Sequence, residues 1–315
     1  MFKNFAILFV LVGVNAIYDY HIIRRLIFRK DLAEPNEFPF MAAILLKHNR
    51  EPEVTCILLP NECVLKYPSH DFHCTGVIIS RQFVLTTAKC ILYKKDELDK
   101  IRIRTGTNSL LDDEGDTHEV ESYHIHNITR RESNKTVEYH TIGLYKLKTP
   151  MKLNDRQRPI RISALPKNLI IRDPGKIDRW FSGDWYGTVV GWGFDNRQGN
   201  TLSEDLRLPM EYIPALLKAQ NTVMIERVPR CKRYMKKNDI PYNGHEICVY
   251  YNEPLGNDGA VLLYENKFIG VAIHYDFFFR SVEDDSLIPG GIFVYVESVK
   301  DFIYSTATDY YEPYK

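Results

Sequence analysis

The chain has 315 residues, and its 41 Lys plus Arg balance 41 Asp plus Glu, so the formal net charge is zero. Hydrophobic residues make up 44% and charged residues 26%, a globular profile that excludes disordered, collagen-like and coiled-coil chains. Zero net charge also lacks the basic excess that a nucleic-acid binder needs, and the length suits one large core or two small ones.

Residues 1–16 read as a signal peptide. Lys3 supplies a positive start, Phe5 to Val14 is a ten-residue apolar run, and Val14-Asn15-Ala16 resembles a small-residue cleavage site. Ten residues are too few to span a bilayer, and no later stretch approaches the roughly 18 to 20 required. Residues 17–25 form a short pro-like segment ending in Arg24-Arg25. The expectation is a secreted, extracellular protein with no membrane span. An oxidising compartment favours disulfides, and six cysteines allow 15 pairings. Cys56 and Cys63 are close enough to staple a hairpin, and no Cys-x-x-Cys spacing suggests zinc.

Short strand signals follow. Gly76 to Ile79 and Phe83 to Leu85 flank a polar Ser80-Arg81-Gln82 turn, and Ile101 to Arg104 alternates apolar and polar before Gly106. His124 and His126 fall on one face of a strand with no third metal ligand in view. The sequons at Asn127 and Asn134 lie in a polar stretch that fits an exposed, glycosylated loop. Thr188 to Val190, Phe268 to Ile273 and Ile292 to Val296 complete an all-β pattern. Ser298 to Thr306 reads as a helix with a capping-box spacing between Ser298 and Asp301, and Val299, Phe302 and Ile303 share its inner face. Residues 307–315 form a Tyr-rich polar tail, expected to fray.

Seven motifs in order resemble the chymotrypsin-like, trypsin-fold serine proteases: Phe72 to Ser80, Val84 to Cys90, Val190-Gly191-Trp192-Gly193, the Cys231 and Cys248 pair, Phe268 to Val271, Pro289 to Phe293, and the terminal helix. The resemblance implies two packed six-stranded antiparallel β-barrels with a C-terminal α-helix, spanning residues 26–306. It also implies the disulfides Cys74–Cys90 and Cys231–Cys248. Cys56 and Cys63 then remain, and their spacing suits a hairpin within an enlarged insertion between Leu45 and Phe72.

The same resemblance places the family's Ser-His-Asp chemistry on unsuitable residues. Lys89 stands at the histidine position, Thr141 at the aspartate position, and Asp258 at the nucleophile position within Gly256-Asn257-Asp258-Gly259. An ammonium cannot accept a proton from a nucleophile, and a carboxylate attacks amides poorly. A carboxylate there would also repel a developing oxyanion. Leu26 replaces the family's Ile at the freed N-terminus, Asn257 replaces the acid that pairs with it, Asn252 replaces the pocket-base acid, and Pro254 replaces a cysteine. None of His140, Ser298 and Ser305 occupies a substitute motif position.

These substitutions imply a non-catalytic, secreted serine protease homologue of arthropod type. Its expected work is protein binding in an extracellular pathway, either an immune cascade or a reproductive-tract secretion. Expected partners are secreted or cell-surface proteins, including active proteases and other homologues; no cofactor, metal or nucleic acid is expected. The alternative is a secreted hydrolase with a rearranged active site.

Overall fold

The computed structural model describes residues 33–47, 53–56, 63–67, 70–110, 114–132, 135–164, 186–192, 217–225, 228–237, 240, 242, 244–250, 258–280 and 287–310. The first barrel is built from β1 (Met41–Lys47), β4 (His70–Ile78), β5 (Phe83–Thr87), β6 (Ile101–Thr105), β7 (Asp116–Glu132) and β8 (Lys135–Leu147), closed in the order β1-β4-β5-β8-β7-β6. The second uses β9 (Tyr186–Trp192), β10 (Leu217–Ile225), β11 (Glu246–Tyr250), β12 (Val261–Tyr264), β13 (Lys267–Arg280) and β14 (Leu287–Tyr295), closed as β10-β11-β14-β13-β12-β9. Between β1 and β4, β2 (Glu53–Cys56) and β3 (Cys63–Tyr67) form a separate two-stranded sheet.

The period of two along each strand explains how both barrels pack with so few polar positions. On β1, Ala42 and Ile44 point into the first barrel, while Met41, Ala43 and Leu45 join a core shared with the second. The same split separates Ile78 from Val77, and Val84 from Phe83 and Leu85. In the second barrel, Val189 and Leu262 fill the interior, whereas Val190, Trp192, Val261 and Leu263 face the shared core. Strands buried on both faces therefore lose the apolar–polar alternation that marks an exposed sheet.

Two disulfides anchor the short helices. Cys74 on β4 bonds Cys90 on α1 (Ala88–Leu92), with Cα atoms 6.2 Å apart. Cys231 on α2 (Val228–Lys237) bonds Cys248 on β11, at a Cα separation of 5.3 Å. In the β2–β3 sheet, Cys56 pairs directly with Cys63 in the antiparallel register. That register suits a bridge.

Three sequence expectations are corrected. The closing helix has no capping box: Val296–Val299 form a 3-10 turn, α3 spans Lys300–Thr306, and Val299 at its start makes no side-chain cap. Ser298 Oγ donates instead to the carbonyl of Tyr295, three residues back, the local bond that competes with capping. The tail does not begin at residue 307. Ala307 is buried, Tyr310 stacks on Tyr304 with ring centres 4.6 Å apart, and the Tyr310 hydroxyl accepts a bond from Ile162 N. Apolar contact thus extends the fold to residue 310; residues 311–315 lie outside the described residues. The stretch carrying the Asn127 sequon is not a loop, because β7 and β8 pair through it from Glu132↔Lys135 back to Val120↔Leu147. Asn127 is exposed on β7, and Asn134 lies outside the described residues. The signal and pro-like segments, 1–16 and 17–25, also lie outside them.

Candidate functional site

The cleft between the barrels is organised by backbone contacts around Thr75 and Gly259. Thr75 N donates to the carbonyl of Asp258 at 3.1 Å, tying β4 of the first barrel to the turn that precedes β12. Gly259 N donates in turn to Ala272 O at 2.9 Å. Thr86 Oγ1 donates to Thr75 O, and Thr75 Oγ1 accepts from Trp192 N across the barrels. Gly259 has φ +87°, and a Cβ built there would sit 1.9 Å from Thr75 O. Only glycine combines that backbone angle with so close an approach.

This frame presents Asp258 to Lys89. Lys89 leaves α1 immediately before the bridged Cys90, and its Nζ lies 2.7 Å from Asp258 Oδ2. The lysine side chain is 41% exposed and the carboxylate 14%. Lys89 Nζ also lies 5.8 Å from the centre of the Tyr93 ring, within cation–π range. Asp258 Oδ1 is buried, with no hydrogen-bond partner among the described residues. The outcome is a charge pair, in which an ammonium donates and a carboxylate accepts.

Thr141 lies within β8 rather than at its start, and it is buried at 2% exposure. Its carbonyl accepts from Thr87 Oγ1, and its own Oγ1 lies 3.0 Å from His126 Nδ1. His126 reaches it because a bulge between Ile125 and Asn127 breaks the β7–β8 register, and such bulges re-aim side chains. The ring of His126 also meets Phe302 on α3, at 5.1 Å, and His245 before β11, at 6.2 Å. His124 makes a different contact, beside Phe83. The two histidines read as one pair in the sequence therefore serve separate neighbourhoods. Among the described residues, no cluster of three His, Cys, Asp or Glu side chains could hold a metal ion.

Sequence reasoning missed both His126 as the partner of Thr141 and His73 beside the cleft. His73 Nε2 contacts the carbonyl of Cys90 at 2.9 Å. Burial lowers its pKa below the ordinary 6.5, opposed by that carbonyl bond; Lys94 lowers it further and Asp258 raises it. Burial likewise lowers His126, with His245 adding to the effect. A bulge has no single-residue signature here, so neither contact was legible in advance. Leu26, Asn252 and Asn257 lie outside the described residues, and the side chain of His140 does as well.

A family model described as Trypsin matches residues 27–303. The chain belongs to the trypsin family. Among relatives, it is 24% identical over 212 residues to the clotting factor G beta subunit of Tachypleus tridentatus, covering 66% of this chain and 62% of that one. It is 28% identical over 137 residues to a trypsin of Phaedon cochleariae, covering 41% of this chain and 46% of that one. The chain thus spans about half of the length of the curated relatives it matches. Two solved structures share the trypsin fold at a TM-score of 0.55: the scabies mite inactivated protease paralogue S-I1 and mouse neuropsin. Their identities are 18% and 17%; each alignment covers 88% of this chain and, respectively, 97% and 98% of the other.

Proposed function

We propose that this trypsin-family chain is a secreted, non-catalytic homologue that works by binding proteins in an extracellular pathway. The observation that carries the reading is the 2.7 Å contact between Lys89 and Asp258. A proton-transfer couple needs a base with a free lone pair beside a nucleophile. In a lysine–carboxylate contact the ammonium donates and the carboxylate accepts, so the pair supplies neither that base nor that nucleophile.

The rearranged-hydrolase alternative has one structural candidate, the Thr141–His126 contact, which joins a hydroxyl to an imidazole at 3.0 Å. Thr141 is 2% exposed, so a peptide carbonyl has no approach to that hydroxyl. Substitution of three triad positions together with Asn252, Asn257 and Leu26 supports the same conclusion from the sequence. One structural relative is itself described as an inactivated protease. Secretion is supported by the apolar leader and by two disulfides; among the described residues, no helix is long and apolar enough to cross a membrane. An immune cascade or a reproductive-tract secretion is the proposed setting, with secreted or cell-surface proteins as partners. The curated relative that is a clotting factor subunit is in keeping with an extracellular cascade.

The deciding experiment incubates the purified chain with a panel of peptide amides and esters. No turnover is expected. Hydrolysis that persists through purification and disappears in Asp258→Ala or Thr141→Ala would refute the reading. Affinity capture from the fluid that contains the protein, compared between wild type and charge-altered surfaces, then identifies the partner.

A further inference from the structure

Helix α2 concentrates positive charge as no other described element does. Its ten residues carry Arg230, Lys232, Arg233, Lys236 and Lys237 and no acid, although the whole chain is neutral. The nearest acids in sequence, Glu226 and Asp239, fall outside the helix. Cys231 and Met235, one turn apart, are fully buried, and Cys231 is bonded to Cys248 on β11. The apolar side of the helix is therefore committed to the barrel. Lys232, Arg233 and Lys236 are exposed, and their i, i+1, i+4 spacing sets them on one face. Lys232 lies over the Tyr242 ring at 5.5 Å, while Arg233 and Lys236 pair with no carboxylate among the described residues.

Such a helix repels itself. Lys232 and Lys236 stand at i, i+4, as do Arg233 and Lys237, and like charges at that spacing destabilise a helix. Burial of Met235 and the bridge to β11 keep it folded despite that repulsion. A polyanion would remove it.

We infer that this face is a docking site for a sulfated polysaccharide. Ten residues span about 15 Å, less than two Debye lengths at physiological salt, about 8 Å each, so its cations act on a ligand together. Lys232 and Lys236, four residues apart, are separated by about 6 Å along the helix axis, a spacing that suits a linear polymer with repeated anions. An anionic membrane is a poorer match, because interfacial helices bind by inserting an apolar face, and here that face is buried. The choice of an extracellular polyanion over a nucleic acid rests on the secreted reading; the basic face itself does not.

The test uses the full chain on immobilised heparin and compares two triple variants of equal net charge. One is Lys232→Glu/Arg233→Glu/Lys236→Glu. The other is Lys95→Glu/Lys152→Glu/Arg158→Glu, at exposed cations on the first-barrel side of the sequence. Wild type should be retained above physiological salt. The helix variant should bind about tenfold or more weakly, with a log–log salt slope shallower by about 2, and the control should stay within about twofold of wild type. Unchanged melting temperature shows that each variant folds; if the Glu variant does not, the Gln triple at the same positions replaces it with the same expected loss. Wild type that is not retained, a helix variant that binds like wild type, or a control that loses as much overturns the proposal. So does equal or tighter binding to desulfated heparin, to phosphatidylserine vesicles or to duplex DNA. Intact heparin binding by a chain found only inside cells would sink the secreted reading and leave the docking face standing.

Discussion

Two side chains separated by 169 positions, Lys89 and Asp258, meet because the backbone at Thr75 holds the second barrel's turn against the first. The lysine is 41% exposed and the carboxylate 14%, so the pair lies between the weak exposed and the strongly coupled buried cases. A double-mutant cycle of Lys89→Ala and Asp258→Ala should give a coupling near the upper end of the exposed range, about 1 kcal/mol. No coupling would mean that the contact has no energetic content. The histidines give a second residue-level expectation. His73, His118 and His126 all have pKa values below 6.5 in the fold, chiefly through burial. Each protonates more readily in the unfolded chain, so their contribution is fully present above about pH 6.5 and is lost as pH falls through the depressed folded values. Melting temperature should therefore fall on acidification below about pH 6.5. His118 also contacts Thr105 Oγ1, and Asp116 raises its pKa against the burial effect. Replacing His126 by Gln should flatten the acid limb, and a limb as steep as that of wild type would count against its burial as the cause.

At the scale of elements, the turn carrying Asp258 is the most tightly specified. Gly259 has a positive φ, and an added Cβ would collide with a backbone carbonyl, which cannot rotate away as a side chain can. Gly259→Ala should cost at least about 2 to 3 kcal/mol, read as a lower urea midpoint with an unchanged slope. A wild-type midpoint would show that β4 and the turn can separate freely. Individual strands were legible beforehand, because β-branched runs are local properties, and β4 and β5 appear where Gly76 to Ile79 and Phe83 to Leu85 signalled them; the two-barrel arrangement followed from the family resemblance. The closing helix was legible in position but not in its cap. Ser298 had a nearer acceptor in Tyr295 O, and spacing alone does not rank competing acceptors.

For the whole molecule, the proposed inactivity predicts what cleavage does. Cutting after Arg25 would free Leu26, and Asn257 offers no charge to pair with the new amine. Trypsin treatment should therefore create no peptidase activity and leave the melting temperature of the body unchanged. Activity gained on cleavage would show that a substitute for the lost ion pair exists.

Family and barrel count could both be read from the chain, because the resemblance that carried them rests on motif order. The spacing of Cys56 and Cys63 suited a hairpin, and the two residues stand opposite each other in the β2–β3 register. The tertiary structure decided which charges meet, that β7 continues through the Asn127 sequon, and that Tyr310 packs on Tyr304 rather than fraying. It also turned His126 away from His124 toward Thr141 and the second barrel. Those outcomes depend on the reach of side chains between elements distant in sequence and on a one-residue bulge. No window of neighbouring residues encodes either, because the partner that completes each contact is brought in only when the two barrels close and pack.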